Sequence, residues 1–328
     1  MGDRSCLNLF YEEPDPDRWL PFDRHPRRLI RRLLRGPAQP GGMERAFLNL
    51  CAGLDRLGAS YRVNDYRYIS ANSAELACAF GKPHVLAKVP EQTPLLFGTS
   101  IYSHPSDDPL LPLRRPIRQV LVPSAWVQRM FSAVWPGRVS VWACGIDTDR
   151  WAPQGGRNKD IDVLVYDKIF WQRAHYERSL LMPVQEELRR RGLRVETIRY
   201  GSYREQELLD WGRRSRAMIL LSRHETQGIA AQQVLSMDIP ILAWDEGGYW
   251  QDPKYYPAQV KFEPVTSVPY WDDRCGRTFR GDGDFLDAFA RFWAEVQSNS
   301  YAPRQMILEK FTLEKRAAAY LDLVDTYG

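Results

Sequence analysis

Short apolar segments alternate with amphipathic helical segments along most of this sequence, and this alternation limits the fold more than any other feature. Residues 6–11 (CLNLFY), 76–80 and 161–166 (IDVLVY) are short, apolar and bounded by turn residues, as buried strands are. Helical periodicity follows such segments, for example over residues 43–57 and Glu205–Arg214. Strands that alternate with helices form parallel sheets covered on both faces. We therefore predict an α/β fold of doubly wound, Rossmann-like parallel sheets.

The chain has 328 residues, which is enough for two domains with a core each. Residues 154–159 (QGGRNK) are polar, carry two glycines and lack periodicity, so they separate two series of strands and helices. We predict one domain over residues 1–155, a second over 156–303, and a C-terminal helix over 304–328 that packs back on the first domain. Two such sheets would leave a cleft at the carboxyl ends of their strands, where ligands bind.

Charge and cysteine content exclude several classes of protein. Lys and Arg total 45 against 41 Asp and Glu, and this surplus of four is too small for a dedicated nucleic-acid binder. The five cysteines are scattered without the spacing of a zinc site, which favours a reducing cytoplasm. No run reaches the roughly 20 apolar residues of a membrane span. A cytoplasmic protein with a small anionic ligand fits these features.

The segment 222–248 carries the strongest functional signal. A predicted strand ends at Ser222, a loop carries Glu225 and Gly228, and a helix begins near Gly228. Backbone N–H groups and the helix dipole meet there, which suits a pyrophosphate, and Gly228 lets the backbone approach it closely. Glu225 can accept hydrogen bonds from the hydroxyls of an attached sugar. The alternative is that Glu225 only caps the helix and that Gly228 only makes a turn.

This pattern resembles the signature of the glycogen-synthase-like retaining glycosyltransferases of family four, which have the two-domain GT-B fold. In that family the first glutamate contacts the donor sugar, and a second glutamate eight residues later holds the ribose. The second position is Gln233 here, so the resemblance is incomplete at the ribose. The donor-binding residues that the resemblance implies in this segment are Ser222, Gln227, Gly228, Ile229 and Gln233, with Glu225 as a catalytic residue.

Other segments extend the resemblance over most of the chain. Gly41 and Gly42 match a Gly-Gly-x-Glu turn where donor and acceptor approach the backbone, and residues 139–153 match the stretch that closes the first domain. The first domain would then hold the acceptor and the second the donor. Three further matches are two cations that clamp the donor phosphates, a histidine at the sugar and a glycine pair beside it. These residues are Lys168 and Arg173, His104, and Gly247 with Gly248.

Simpler interpretations of these matches stay open from the sequence. Lys168 and Arg173 can be solvated cations at a helix start, His104 a structural histidine, and Gly247-Gly248 a plain turn. The basic segment 27–35 can contact an anionic membrane surface, at the inner face of the membrane, or remain a solvated helix.

The resemblance implies a retaining hexosyltransferase that uses a nucleoside diphosphate sugar as donor and an unidentified glycan, lipid or small molecule as acceptor. We expect no metal or other cofactor, because the Asp-x-Asp sequences at residues 15–17, 147–149 and 282–284 do not sit in the strand-to-loop setting that holds a donor-bound metal, and the five histidines form no ligand cluster. Two other functions remain as alternatives. One is a catalytically silent GT-B-like protein that binds a nucleotide or glycan, which Gln233 suggests, and the other is a sugar-nucleotide epimerase.

Overall fold

The computed structural model describes residues 6–13, 41–99, 101–155 and 159–328. Its contacts divide the chain into two compact units. Among the described residues, the first comprises those up to residue 123 together with 128–144 and 316–328, and the second comprises 124–127 and those between 145 and 315. The basic segment 27–35 lies outside the described residues. The predicted domains, residues 1–155, 156–303 and 304–328, also carry acceptor and donor roles. Their bounds therefore stay predictions.

The first unit contains a sheet of six parallel strands in the order β2-β1-β3-β4-β5-β6. Its central strands are almost entirely apolar, and Leu9, Ala79 and Phe97 are fully or almost fully buried. Such runs are expected where helices cover both faces of a sheet. The strands are β1 (Leu7–Phe10), β2 (Tyr61–Val63), β3 (Ala77–Ala79), β4 (Leu95–Phe97), β5 (Ile117–Val122) and β6 (Val139–Val141).

The second unit contains five parallel strands in the order β11-β10-β9-β7-β8. Strands β7 and β9 are the longest of the five, with eight residues each, and all but one residue of each is buried. The doubly wound parallel sheets that the sequence predicts are therefore confirmed in both units. The strands are β7 (Ile161–Lys168), β8 (Val195–Arg199), β9 (Ser215–Ser222), β10 (Ile241–Trp244) and β11 (Gly276–Phe279).

The helices lie between these strands and after β11. In chain order they are α1 (Gly42–Leu57), α2 (Tyr66–Ala71), α3 (Leu111–Arg114), α4 (Ala125–Ser132), α5 (Arg173–Tyr176), α6 (Met182–Arg190), α7 (Glu205–Arg214), α8 (Ile229–Ser236), α9 (Asp282–Gln297), α10 (Pro303–Lys310) and α11 (Leu313–Tyr327). A π-helical turn, Glu177–Leu181, joins α5 to α6. The C-terminal helix expected over residues 304–328 is two helices, because the chain breaks at Phe311 and Thr312, where Thr312 pairs with Ile146.

The last thirteen residues complete the core of the first unit. The indole nitrogen of Trp142 donates a hydrogen bond to the carbonyl oxygen of Arg316 at 2.9 Å. Tyr320 is fully buried, and its ring lies 5.5 Å from that of Phe80 and 5.1 Å from that of Trp142. The aromatic core of this unit is thus built partly from residues far apart in the sequence.

Candidate functional site

The carboxyl ends of β7 and β9 lie side by side in the second unit. The two strands pair in parallel, and their last aligned residues are Lys168 and Ser222. Carboxyl ends of adjacent parallel strands are where doubly wound sheets bind ligands. Two residues that the sequence analysis singled out from segments more than fifty positions apart are therefore direct neighbours in the sheet.

Glu225 is the centre of this group. Its Oε2 accepts a hydrogen bond from Lys168 Nζ at 2.7 Å, and its Oε1 accepts one from Ser222 Oγ at 2.8 Å. The Glu225 side chain is 10% exposed and that of Lys168 is 20% exposed. Because each carboxylate oxygen has two lone pairs and the ammonium has three N–H donors, both groups keep bonding capacity beyond this pair. Glu225 can therefore accept hydrogen bonds from sugar hydroxyls, while Lys168 presents a cation beside it.

The backbone of Glu225 is fixed from two sides. Its carbonyl oxygen accepts a hydrogen bond from Trp126 Nε1 at 2.9 Å, and its N–H donates to the carbonyl oxygen of Thr266 at 2.9 Å. Asp245 in turn accepts a hydrogen bond from the Thr266 hydroxyl at 2.9 Å. Trp126, Thr266 and Asp245 were not predicted from the sequence. The one signal among them is that Trp126, a large apolar residue, follows the apolar segment of β5 closely, which indicates burial. These three residues hold the loop in one conformation.

Helix α8 begins directly after this loop. Its N-cap, Gly228, has φ +81° and ψ +45°, a left-handed conformation that glycine adopts without steric cost. Ile229, the first helical residue, is partly exposed, so the start of the helix is reachable. The first N–H groups of a helix lack intrahelical partners and carry the positive end of its dipole. Lys168 and the start of α8 both lie beside Glu225, so an anion bound there would meet a cation and the positive end of a helix dipole.

Three buried glutamines lie at this helix start. The Gln227 side chain donates a hydrogen bond from Nε2 to Gln232 Oε1 at 2.9 Å, and both side chains are buried. Gln233, which stands where the resembled family has its second glutamate, is 5% exposed in α8. Burying an ionised carboxylate without a partner costs far more free energy than burying a neutral amide, although a buried amide also needs hydrogen bonds. Its proposed contact with a ribose stays a prediction.

Arg173 lies at the start of α5, and its cationic group is already paired. Nη1 donates to both carboxylate oxygens of Asp167, at 2.6 Å and 2.7 Å, and Nε donates to Glu177 at 3.2 Å. Burial lowers the pKa of Arg173, but its bonds to Asp167 and Glu177 outweigh that effect and raise the pKa overall. A phosphate contact would require the guanidinium to exchange or share these carboxylates, so the predicted clamp stays a prediction for Arg173.

The glycine pair follows β10 and contacts an arginine. Gly247 has φ +70° with open space around it, whereas a Cβ atom on Gly248 would lie 3.0 Å from Arg223 Nη2. Arg223 directly follows β9, pairs with Glu246, and donates to the Tyr176 hydroxyl at 2.7 Å. Its side chain is 10% exposed. Because Arg223 directly follows β9, its guanidinium is a further cation at the carboxyl edge of the sheet. The sequence analysis did not single it out.

The remaining predicted residues belong to the first unit. His104 Nδ1 accepts a hydrogen bond from the backbone N–H of Ser106 at 3.1 Å, which requires that nitrogen to be unprotonated. Burial lowers the His104 pKa, against a smaller opposing effect of Asp107, which favours the neutral ring. Gly41 is the N-cap of α1, and Gly42 is its first residue. A Cβ atom on either glycine would meet no atom within 4 Å, so the described residues leave this backbone open to a ligand.

The Asp-x-Asp sequences at residues 147–149 and 282–284 have local structural roles. Asp147 accepts hydrogen bonds from the backbone N–H groups of Asp149 and Arg150, and Asp284 accepts them from Arg280 and Gly281 at the start of α9. Asp15-Pro-Asp17 lies outside the described residues. In residues 6–13, 41–99, 101–155 and 159–328, no group of three or more His, Cys, Asp or Glu side chains is placed to hold a metal ion. No helix in the same ranges is long and apolar enough to cross a membrane.

Solved structures share this fold over nearly the whole chain, although no family model and no curated protein matches the sequence. A sucrose-phosphate synthase from Thermosynechococcus elongatus is 12% identical and has a TM-score of 0.60, with 98% of this chain and 99% of that chain covered. The lipopolysaccharide outer core galactosyltransferase WaaB is 11% identical, with a TM-score of 0.54 and the same coverage. The chain has the GT-B fold.

The same fold is not restricted to transferases. A putative UDP-N-acetylglucosamine 2-epimerase from Listeria monocytogenes is 8% identical and has a TM-score of 0.51, with 98% of this chain and 96% of that chain covered. At such low sequence identities the structural similarity establishes only the fold, and the reaction has to be inferred from the residues of the site.

Proposed function

We propose that this protein is a retaining glycosyltransferase that moves a hexosyl group from a nucleoside diphosphate sugar to an acceptor hydroxyl without a metal ion. The proposal rests above all on Glu225, whose carboxylate is held by Ser222 and Lys168 at the start of α8. In this proposal Glu225 accepts hydrogen bonds from the sugar hydroxyls, and Lys168 with the start of α8 binds the phosphates. Further support comes from two proteins with the same fold, a sucrose-phosphate synthase and a lipopolysaccharide galactosyltransferase.

In the proposed reaction the bond between the sugar C1 and the diphosphate oxygen breaks as the acceptor oxygen bonds to C1 from the same face. The acceptor proton passes to the departing diphosphate. Negative charge grows on the β-phosphate in the transition state, and fixed donors aimed at developing charge lower such barriers. Lys168 and the N–H groups at the start of α8 are the groups assigned to this role. Glu225 would orient the sugar hydroxyls.

A thermal-shift screen against nucleoside diphosphates and their sugars identifies the donor, since a ligand that binds only the folded state raises the unfolding temperature. Transfer of that donor's sugar to water or to test acceptors is then followed by NMR. The proposal expects a product with the donor's anomeric configuration and full activity in EDTA. A chain that binds the donor without turnover would be a silent binding protein, and an epimerised nucleotide sugar would identify an epimerase.

Glu225→Gln tests the residue itself, because the amide keeps the shape and removes the charge. Hydrogen bonds to charged groups contribute about 1.5–3 kcal/mol each, so we expect turnover to fall by roughly 10- to 150-fold. Glu196→Gln is the matched control, because Glu196 is exposed on β8. Unchanged turnover of Glu225→Gln would remove Glu225 from the reaction.

Catalytic silence is the second candidate, and Gln233 is the observation that favours it. A neutral amide forms weaker hydrogen bonds to ribose hydroxyls than a carboxylate does, by about half. The screen separates the two, because a silent protein would show nucleotide stabilisation with no glycosyl product under any acceptor.

A further inference from the structure

Two aromatic rings are exposed at the carboxyl edge of the second sheet. Phe170 follows β7 and is 54% exposed, and Tyr200 follows β8 and is 42% exposed. Their ring centres lie 5.2 Å apart in an edge-to-face arrangement. Large aromatic residues are normally buried because each removes a large apolar area from water, so two exposed rings in contact mark a candidate binding surface.

The backbone holds this ring pair at the same edge as Glu225. Strands β7 and β8 pair in register at Asp167 and Arg199, and the N–H of Tyr200 donates to the carbonyl oxygen of Asp167 at 2.9 Å. The pair therefore rests on the ends of two strands, which are rigid supports for a site.

Lys168 joins the ring pair to the proposed phosphate site. Its ammonium nitrogen lies 4.6 Å from the ring centre of Tyr200 and 2.7 Å from Glu225 Oε2. The ring and the carboxylate thus flank one cation. A ligand whose phosphate meets Lys168 would therefore have the ring pair within reach of its neighbouring group.

A nucleoside diphosphate sugar has its base at that position along the molecule, separated from the diphosphate by the ribose. Every nucleobase has a flat π-face, and stacking on aromatic side chains binds bases with little dependence on their identity. We propose that Phe170 and Tyr200 form a stacking surface for the nucleobase of the donor. This inference rests on the proposed function and assigns a part of the donor that Glu225 and Lys168 do not contact.

The test compares nucleoside diphosphates with inorganic pyrophosphate, which has no base. Calorimetric titration of the full chain with UDP, ADP, GDP and pyrophosphate gives four dissociation constants for each variant. Phe170→Ala is the sharper change because the described contacts of Phe170 are with Tyr200 and not with Lys168. Phe170→Tyr and Tyr200→Phe keep the rings and serve as matched controls.

We expect Phe170→Ala to raise the dissociation constant of the bound nucleotide about 5- to 150-fold, the range for loss of one stacked base. Its pyrophosphate affinity and both ring-keeping variants should match the unaltered chain. Nucleotide affinity that survives Phe170→Ala and Tyr200→Ala, or that falls equally for pyrophosphate, would overturn the stacking surface and leave the transferase proposal intact. An unaltered chain that binds pyrophosphate but no nucleotide would overturn both.

Discussion

Trp126 Nε1 donates a hydrogen bond to the carbonyl oxygen of Glu225 at 2.9 Å, although the two residues are 99 positions apart in the sequence. The indole is 3% exposed, and its ring lies 5.8 Å from that of His224 and 6.3 Å from that of Phe262. Trp126 thus supports the residue on which the proposed chemistry depends without facing a substrate itself. It is a positioning residue for Glu225.

Trp126→Phe removes this donor and keeps most of the apolar surface. A lost hydrogen bond to a buried carbonyl costs about 1–3 kcal/mol, so we expect lower stability in urea denaturation and a several-fold loss of turnover. Trp135→Phe is the matched control, because Trp135 is equally buried and donates to Pro109 at 3.1 Å in the first unit. Turnover that falls equally in both variants would mean that only general stability matters.

Gly228→Ala should weaken nucleotide binding as well as folding. A left-handed conformation costs an alanine about 1–2 kcal/mol, and Gly228 has φ +81°. Gly58→Ala carries the same backbone cost, since Gly58 has φ +66° and open space around it at the end of α1. Thermal unfolding should report similar losses for both. Only Gly228→Ala should raise the dissociation constant of the nucleotide. Equal nucleotide affinities of Gly228→Ala and Gly58→Ala would show that the start of α8 does not bind the nucleotide.

The stability of the protein should fall as the pH drops below about 6.5, partly because of His224. Burial lowers the pKa of His224 below its ordinary value of 6.5, against smaller opposing effects of Gln251 and Glu225. The unfolded chain therefore binds a proton first, and stability is complete above the unfolded pKa and declines as pH falls through the folded one. Free energies of unfolding at pH 7.5 and 5.5 measure this slope.

His224→Asn should make that slope shallower, and His104→Asn should act in the same direction, because burial also lowers the His104 pKa. Equal slopes in the unaltered chain and in His224→Asn would show that His224 titrates as an exposed histidine. NMR titration of the imidazole signals would give the two pKa values directly.

Gln233→Glu should tighten nucleotide binding if this side chain faces the ribose, since a charged acceptor forms hydrogen bonds about twice as strong as a neutral one. Calorimetry with a nucleoside diphosphate and with its 2′,3′-dideoxy form isolates the contact. The gain should appear only with the hydroxylated ribose. Equal affinities of Gln233→Glu and the unaltered chain for the ribose form would place residue 233 away from the nucleotide.

The alternation of strands and helices was sufficient to predict the two doubly wound sheets, because buried parallel strands are recognisable as apolar runs. Strand β11 was missed, since its sequence GRTF contains only one large apolar residue and it pairs solely with β10. The break between α10 and α11 was also missed. It depends on Thr312 pairing with the distant Ile146, which no local pattern records.

The candidate site, like the fold, was predictable from the sequence only in part. The proximity of Lys168 and Glu225 follows from topology once β7 and β9 are neighbours, so motif and strand order together predict it. The pairing of Arg173 with Asp167 and the support from Trp126 depend on side-chain packing and sequence-distant contacts. Periodicity and spacing carry no information about such contacts.

The contribution of residues 316–328 to the first unit has a consequence for protein synthesis. A ribosome makes all of the second unit before it makes Arg316 and Tyr320, which cover Trp142 and Phe80. A nascent chain that stops at residue 315 would leave these two aromatic residues open to water and to chaperones. The first unit is therefore synthesised first but completes its core last. A truncation near the C-terminus is expected to destabilise this N-terminal unit.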